Sequence, residues 1–152
     1  FPTVAAIVIA TAGVIAMSTP FAVDARVRYA RYFKYFLPWI KKEKKTGRNE
    51  SPFQDHVEYP AYSAGALAEL YDAIQTMRQS LAQVAAPVLL INSKVDPTVP
   101  VEHASRIRTL LINSPVQQVM LERSGHVITE DVERETVFEA ADQFIDLHSG
   151  KK

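Results

Sequence analysis

At 152 residues the chain has the size of one domain, long enough to bury a single core. Lys plus Arg and Asp plus Glu both number 17, so no net field argues for nucleic acid or an acidic partner. The absence of cysteine excludes disulfides and thiolate metal sites.

Val4 to Met17 is an apolar run broken only by Thr11 and Gly13. It is shorter than the about 20 residues of a membrane-spanning helix, and no basic residue precedes it as in a secretory signal. Its Val, Ile and Ala content predicts a buried strand, or two short ones hinged at Thr11-Ala12-Gly13. A strand of this kind at the very start, with no initiator Met, reads as a chain that begins inside a larger fold.

Val23 to Lys45 is helical in character and dense in aromatics and bases, with Tyr29, Tyr32, Phe33, Tyr35, Phe36 and Trp39 among them; Pro38 should kink or end the helix. Thr46 to Pro60 is polar and proline-punctuated, a loop. From Ser63 to Val84, apolar residues at Leu67, Leu70, Tyr71, Ile74, Met77, Leu81 and Val84 predict a helix with one buried stripe, and Ser63 is its N-cap. Val88-Leu89-Leu90-Ile91 is a parallel core strand in type. Pro97 and Pro100 bracket a turn. A helix follows from Val101 to Ile112, with Ile107, Leu110 and Leu111 on one side.

Pro115 to Leu121 predicts a more polar strand near a sheet edge. The last helix is expected from about Thr129 to His148, with Val137, Phe138, Ala141, Phe144, Ile145 and His148 as its stripe. Glu130, Asp131 and Glu133 would complement its dipole. The alternation argues for an α/β architecture, a parallel sheet flanked by helices, with the aromatic-rich zone inserted above it.

In such sheets the functional groups collect at the carboxyl ends of the strands. Asp96 follows the strand ending near Ile91, and His126 follows the strand ending near Leu121. A carboxylate there can hold one ring nitrogen and leave the other to take a proton from a nucleophile. The two side chains are therefore expected within hydrogen-bond reach, about 2.6–3.2 Å. Asp96-Pro97 is also a common turn pair, and a lone loop histidine needs no function. Ser124 reads as a turn former. His103, His148 and His56 show no metal-ligand spacing, so neither a metal nor another cofactor is expected.

The segment Pro87-Val-Leu-Leu-Ile-Asn-Ser-Lys-Val-Asp96-Pro-Thr-Val-Pro100 resembles the acid-bearing strand and turn of α/β-hydrolases. Ser124-Gly125-His126-Val127-Ile128-Thr129-Glu130-Asp131 resembles the histidine loop of the bacterial carboxylesterase and monoacylglycerol lipase branch. Tyr59-Pro60 followed by Ala68-Glu69-Leu70 is similar to that branch's passage from cap to core. The order of acid and histidine also matches the family's Ser…Asp/Glu…His arrangement.

The resemblance implies the C-terminal portion of an α/β-hydrolase fold. Core strands lie in 1–20, a helical cap and return helix in 21–85, and the α/β core with both loops in 86–152. It implies a serine-type ester hydrolase acting through an acyl-enzyme, with Asp96 and His126 as catalytic residues. Val99, Val127, Phe33, Phe36 and Trp39 would line the acyl site. The sequence departs from the family in having no G-x-S-x-G nucleophile elbow. Ala61-Tyr-Ser63-Ala-Gly65 lacks the first glycine and is read as opening a helix without a preceding strand. The serine and the oxyanion donors would come from residues upstream.

Two readings of the aromatic zone stand side by side. It can hold an acyl chain, with its basic side meeting water or an anionic lipid surface, or it can pack on the core with a solvated basic face. The expected partner is a small ester or lipid substrate, with no nucleic acid. An unpaired apolar sheet edge argues for self-association or a companion chain carrying the upstream half. A cytoplasmic location is the default expectation. Rival functions are a peptidase or acyltransferase on the same fold, or a non-catalytic partner-binding module.

Overall fold

The computed structural model describes residues 12–41 and 60–149. The expected strand from Val4 to Thr11, the bases Lys42, Lys44 and Lys45, and His56 with most of its loop lie outside the described residues.

Three parallel strands form the centre: β1 (Val14–Met17), β4 (Val88–Ser93) and β5 (Val116–Leu121), in the order β1-β4-β5. Ile91 stands opposite Met17 on one side and Val119 on the other, so the three strands end at the same edge. Each of the six residues of β4 is buried, which is why its sequence is a continuous apolar run and not an alternation. β5 is an edge of this sheet, as its polar Gln117 and Gln118 suggest.

Successive residues of β4 feed two cores, as the pleat requires. Val88 and Leu90 pack with Phe21, Leu81, Ile107 and Leu111 beneath α3 (Glu102–Leu110). Leu89 and Ile91 pack with Leu121, Ile128, Val137 and Phe144 beneath α4 (Arg134–His148). Each fully buried aliphatic side chain of this kind contributes about 1.5–3 kcal/mol.

The stripe of α4 is narrower than expected. Val137, Ala140 and Phe144 face the core, whereas Phe138 and Ile145 are exposed. Positions 137, 140 and 144 follow the i, i+3, i+7 rule, and 138 and 145 fall one residue, about 100°, off that line.

The segment between β1 and β4 differs from the single helix expected over Val23–Lys45. A 3-10 turn (Ala25–Tyr29) leads into a short α1 (Ala30–Phe33), and Trp39–Lys41 is a strand, β2. It pairs antiparallel with β3 (Ala61–Ser63), so a strand does precede the helix that Ser63 opens. Pro38 ends the helical stretch, and the branched and aromatic residues after it suit a strand once a partner is present.

Helix α2 (Ala64–Ser80) is N-capped by Ser63, whose Oγ accepts the Ala66 N–H at 3.4 Å. Its first turns pack small residues, Ala64 and Ala68, against Ala30, with Ile40 and Leu67 alongside. Its last turns bring Met77 and Leu81 to the main core. Leu70, placed on the stripe by periodicity, is instead exposed. No helix among the described residues is long and apolar enough to cross a membrane.

Candidate active site

Asp96 and His126 meet. Oδ2 of Asp96 lies 2.9 Å from Nδ1 of His126, within the range expected from the sequence. The other carboxylate oxygen, Oδ1, accepts the backbone N–H of Thr98 at 2.7 Å and of Val99 at 2.9 Å. One oxygen thus builds the turn that follows β4, and the other is left for the imidazole. The turn-former reading of Asp96 holds, and the same carboxylate also faces the imidazole.

The aspartate side chain is only 2% exposed, while the histidine side chain is 40% exposed. A carboxylate accepts only, so it selects the tautomer with the proton on Nδ1 and the lone pair on Nε2. Nε2 has no hydrogen bond to any described residue. Chemically, this is a base on a half-open surface, oriented from behind by a buried acid.

The histidine loop is held by a set of contacts that its sequence did not reveal. The Glu133 carboxylate accepts the backbone N–H groups of Glu122, Arg123 and Ser124 and the Ser124 hydroxyl, at 2.8–3.2 Å. Ser124 Oγ accepts the Glu133 N–H in return, at 3.3 Å. Asp131 accepts the Gly125 N–H at 2.6 Å through Oδ2 and the Val132 N–H at 2.7 Å through Oδ1. A side chain on Gly125 would put its Cβ 3.3 Å from that Oδ2, so this close approach favours glycine. Ser93, the last residue of β4, donates its hydroxyl to the Ser124 carbonyl.

These contacts correct the expected helix start. The acids at 131 and 133 do not open the last helix; α4 begins at Arg134, and their carboxylates point back to the loop. The Ser124 N–H is buried and the Gly125 N–H half-buried, and leaving them without a partner would cost more than a favourable dipole contact gains. Spacing alone carries one usable signal: a Ser-Gly pair followed within nine residues by three acids, Glu130, Asp131 and Glu133.

Burial pushes the Glu133 carboxyl up, but the N–H groups of Arg123 and Glu122 and the hydroxyl and N–H of Ser124 outweigh it, leaving the group below the usual glutamate range. His103 is also lowered, by burial first and then by Arg106; its Nδ1 accepts the Phe21 N–H at 3.2 Å. For both groups the unfolded chain binds the proton more readily, so stability falls as the pH falls. The His103 step lies below about pH 6.5. We expect the urea midpoint to drop as the pH passes below that point, and His103→Gln to flatten the step. An unchanged step in that variant would contradict the assignment.

The remaining residues singled out by sequence are placed differently. Val127, beside the histidine, is 40% exposed, whereas Val99 is 4% exposed and faces inward, meeting Asp96 through its N–H. Phe33, Phe36 and Trp39 are 58%, 88% and 62% exposed, on α1, the turn after it and β2. A shallow apolar hollow of about 300 Å³ is lined by Phe21, Ser105, Arg106, Thr109 and Leu110, none of them among the expected site residues. Ser18, just past β1, has φ 44° and a buried Oγ without a partner among the described residues. No described group of three His, Asp or Glu side chains is placed to hold a metal.

Residues 70–150 match an α/β-hydrolase family model described as TAP-like protein. The chain belongs to this α/β-hydrolase family. It is similar to a carboxylesterase of Bacillus subtilis (strain 168), 25% identical over 135 residues, which cover 88% of this chain and 54% of the relative. Among solved structures it is similar to one described with LipS and LipT, two metagenome-derived lipolytic enzymes. That match has a TM-score of 0.73 and 22% identity over 90% of this chain and 56% of the other. A monoacylglycerol lipase of Paleococcus ferrophilus gives a TM-score of 0.65 and 20% identity, covering 91% and 59%. These likenesses establish the α/β-hydrolase fold. The chain spans little more than half the length of each of these relatives.

Proposed function

We propose that the chain carries the acid and histidine of a serine-type carboxylic ester hydrolase, of the carboxylesterase or monoacylglycerol lipase kind. The observation that carries this reading is the buried Asp96 carboxylate on Nδ1 of a half-exposed His126. The relatives described as carboxylesterase, lipolytic enzyme and monoacylglycerol lipase support the same class.

In this reading Nε2 of His126 takes the proton from a serine hydroxyl as its oxygen attacks the ester carbonyl. The imidazolium, held by Asp96, then gives that proton to the departing alcohol, leaving an acyl-enzyme. Water repeats the exchange and releases the acid. The sequence contains no G-x-S-x-G, so the serine and the oxyanion donors come from a further segment or a companion chain. Residues 21–85 supply a cap and the helix that returns to the core, and Val127 with Phe33, Phe36 and Trp39 meets the acyl group; Val99 contributes by holding the Asp96 turn through its N–H.

The test is a panel of short p-nitrophenyl esters, a monoacylglycerol and peptide amides, offered to the chain alone and to the protein joined to its nucleophile-bearing segment. The chain alone is expected to stay at the background rate and the joined protein to favour esters. Cleavage of peptides without esters would move the assignment to a peptidase, and acyl transfer in preference to hydrolysis would move it to an acyltransferase. Rapid ester turnover by the chain alone, abolished by His126→Ala, would place a nucleophile within these residues. Ser18 and Ser63 would then be tested first.

A further inference from the structure

We infer that Glu133 is a positioning residue for the Asp96–His126 pair, acting through the backbone of the histidine loop and through Ser124 and Ser93. The inference rests on the hydrolase reading for its purpose, but its structural content does not depend on any turnover.

The sheet fixes where the two loops begin, with Ser93 opposite Leu121 and the Lys94 N–H donated to the Leu121 carbonyl at 2.9 Å, but not how far apart their tips lie. Asp96 is set by its own turn after β4, and His126 lies five residues past the end of β5. A shift of one loop by an ångström would separate Oδ2 from Nδ1. What ties them is a continuous set of bonds. Ser93 Oγ accepts the Val95 N–H at 3.3 Å on the acid side and donates to the Ser124 carbonyl on the histidine side. Ser124 in turn exchanges two hydrogen bonds with Glu133. Ser93 and Ser124 are 1% and 0% exposed, so water offers no ready replacement.

Glu133 brings a negative charge to this set, and three of its four accepted bonds converge on Oε2. Bonds to an ionised acceptor are about twice as strong as neutral ones. The carboxylate therefore gathers Glu122, Arg123 and Ser124 into one tight arc, and Asp131 continues the arc to Gly125. His126 is the next residue. Its ring can face Asp96 only while that arc holds.

The test uses proton NMR of the full chain in water, following the Nδ1 proton shared by His126 and Asp96. That proton is assigned by its disappearance in His126→Gln. In Glu133→Ala we expect the resonance to be lost to exchange or moved upfield while His103 and His148 keep their signals. Glu133→Gln retains one oxygen for the Arg123 and Ser124 donors and should preserve a weakened resonance. Ser93→Ala should weaken it independently. A folded Glu133→Ala chain with the resonance unchanged would overturn the inference, because a residue that merely stabilises α4 would lower the melting point and leave the ring alone. If Glu133→Ala does not fold, the decision passes to Glu133→Gln and Ser93→Ala: two unchanged resonances overturn it. Ester turnover that survives His126→Ala would defeat the hydrolase reading while leaving this result intact.

Discussion

In the protein joined to its nucleophile-bearing segment, the proposed role of Asp96 predicts that Asp96→Asn lowers kcat for ester hydrolysis by about 10⁴-fold, the size seen when an analogous orienting acid is lost, and leaves the fold standing. The amide oxygen can take over the Thr98 and Val99 N–H groups that Oδ1 now accepts, so the turn survives. The amide nitrogen then faces Nδ1 of His126 and must donate to it. Nδ1 becomes the acceptor and the ring proton moves to Nε2, the atom that has to receive the serine proton. The variant is a histidine in the wrong tautomer on an intact scaffold. Steady-state kinetics and a urea curve on the same preparation check both halves. A loss of less than tenfold would mean that Asp96 does not orient the base.

Phe144→Ala destabilises the chain by about 3–5 kcal/mol, the range for truncating a buried aromatic. Phe144 is 3% exposed and shares its core with Leu89, Ile91, Leu121, Ile128 and Val137. A Cβ on Gly13 would lie 2.7 and 2.9 Å from its ring, so the ring fills the space against that backbone. His148 packs against it with ring centroids 4.6 Å apart. Truncation would leave a void between β1 and α4 that neighbours on a regular helix and strand cannot close. Urea denaturation measures the loss; a change below about 1 kcal/mol would show that the site collapses more freely than close packing allows. Ile128 belongs to the same cluster two residues past His126, so the variant should also loosen the histidine loop.

The central strands were legible because their signal is local. Val88 to Ile91 is apolar on both faces, which only a covered parallel strand requires, and the placement of Asp96 and His126 follows from where such strands end. The strand at Trp39–Lys41 was not legible, since its partner Ala61–Ser63 lies some twenty residues away and a lone three-residue strand carries no periodicity. Phe138 and Ile145 are apolar, but they lie on the flank of the stripe set by Val137, Ala140 and Phe144 and are exposed. The hardest part was the loop clamp. Acids before a helix ordinarily read as dipole partners, and nothing in the string Glu130-Asp131-Val132-Glu133 says that two of these carboxylates turn back to hold four amides.

The most direct measurement on the site is the ¹⁵N spectrum of His126 in the chain itself, at a pH where the imidazole is neutral. With Asp96 on Nδ1, the spectrum should show Nδ1 protonated and Nε2 as the bare, pyridine-type nitrogen, and Asp96→Asn should reverse the two. A wild-type ring protonated on Nε2 would mean that the carboxylate does not hold the base, and the hydrolase assignment of this pair would fall with it.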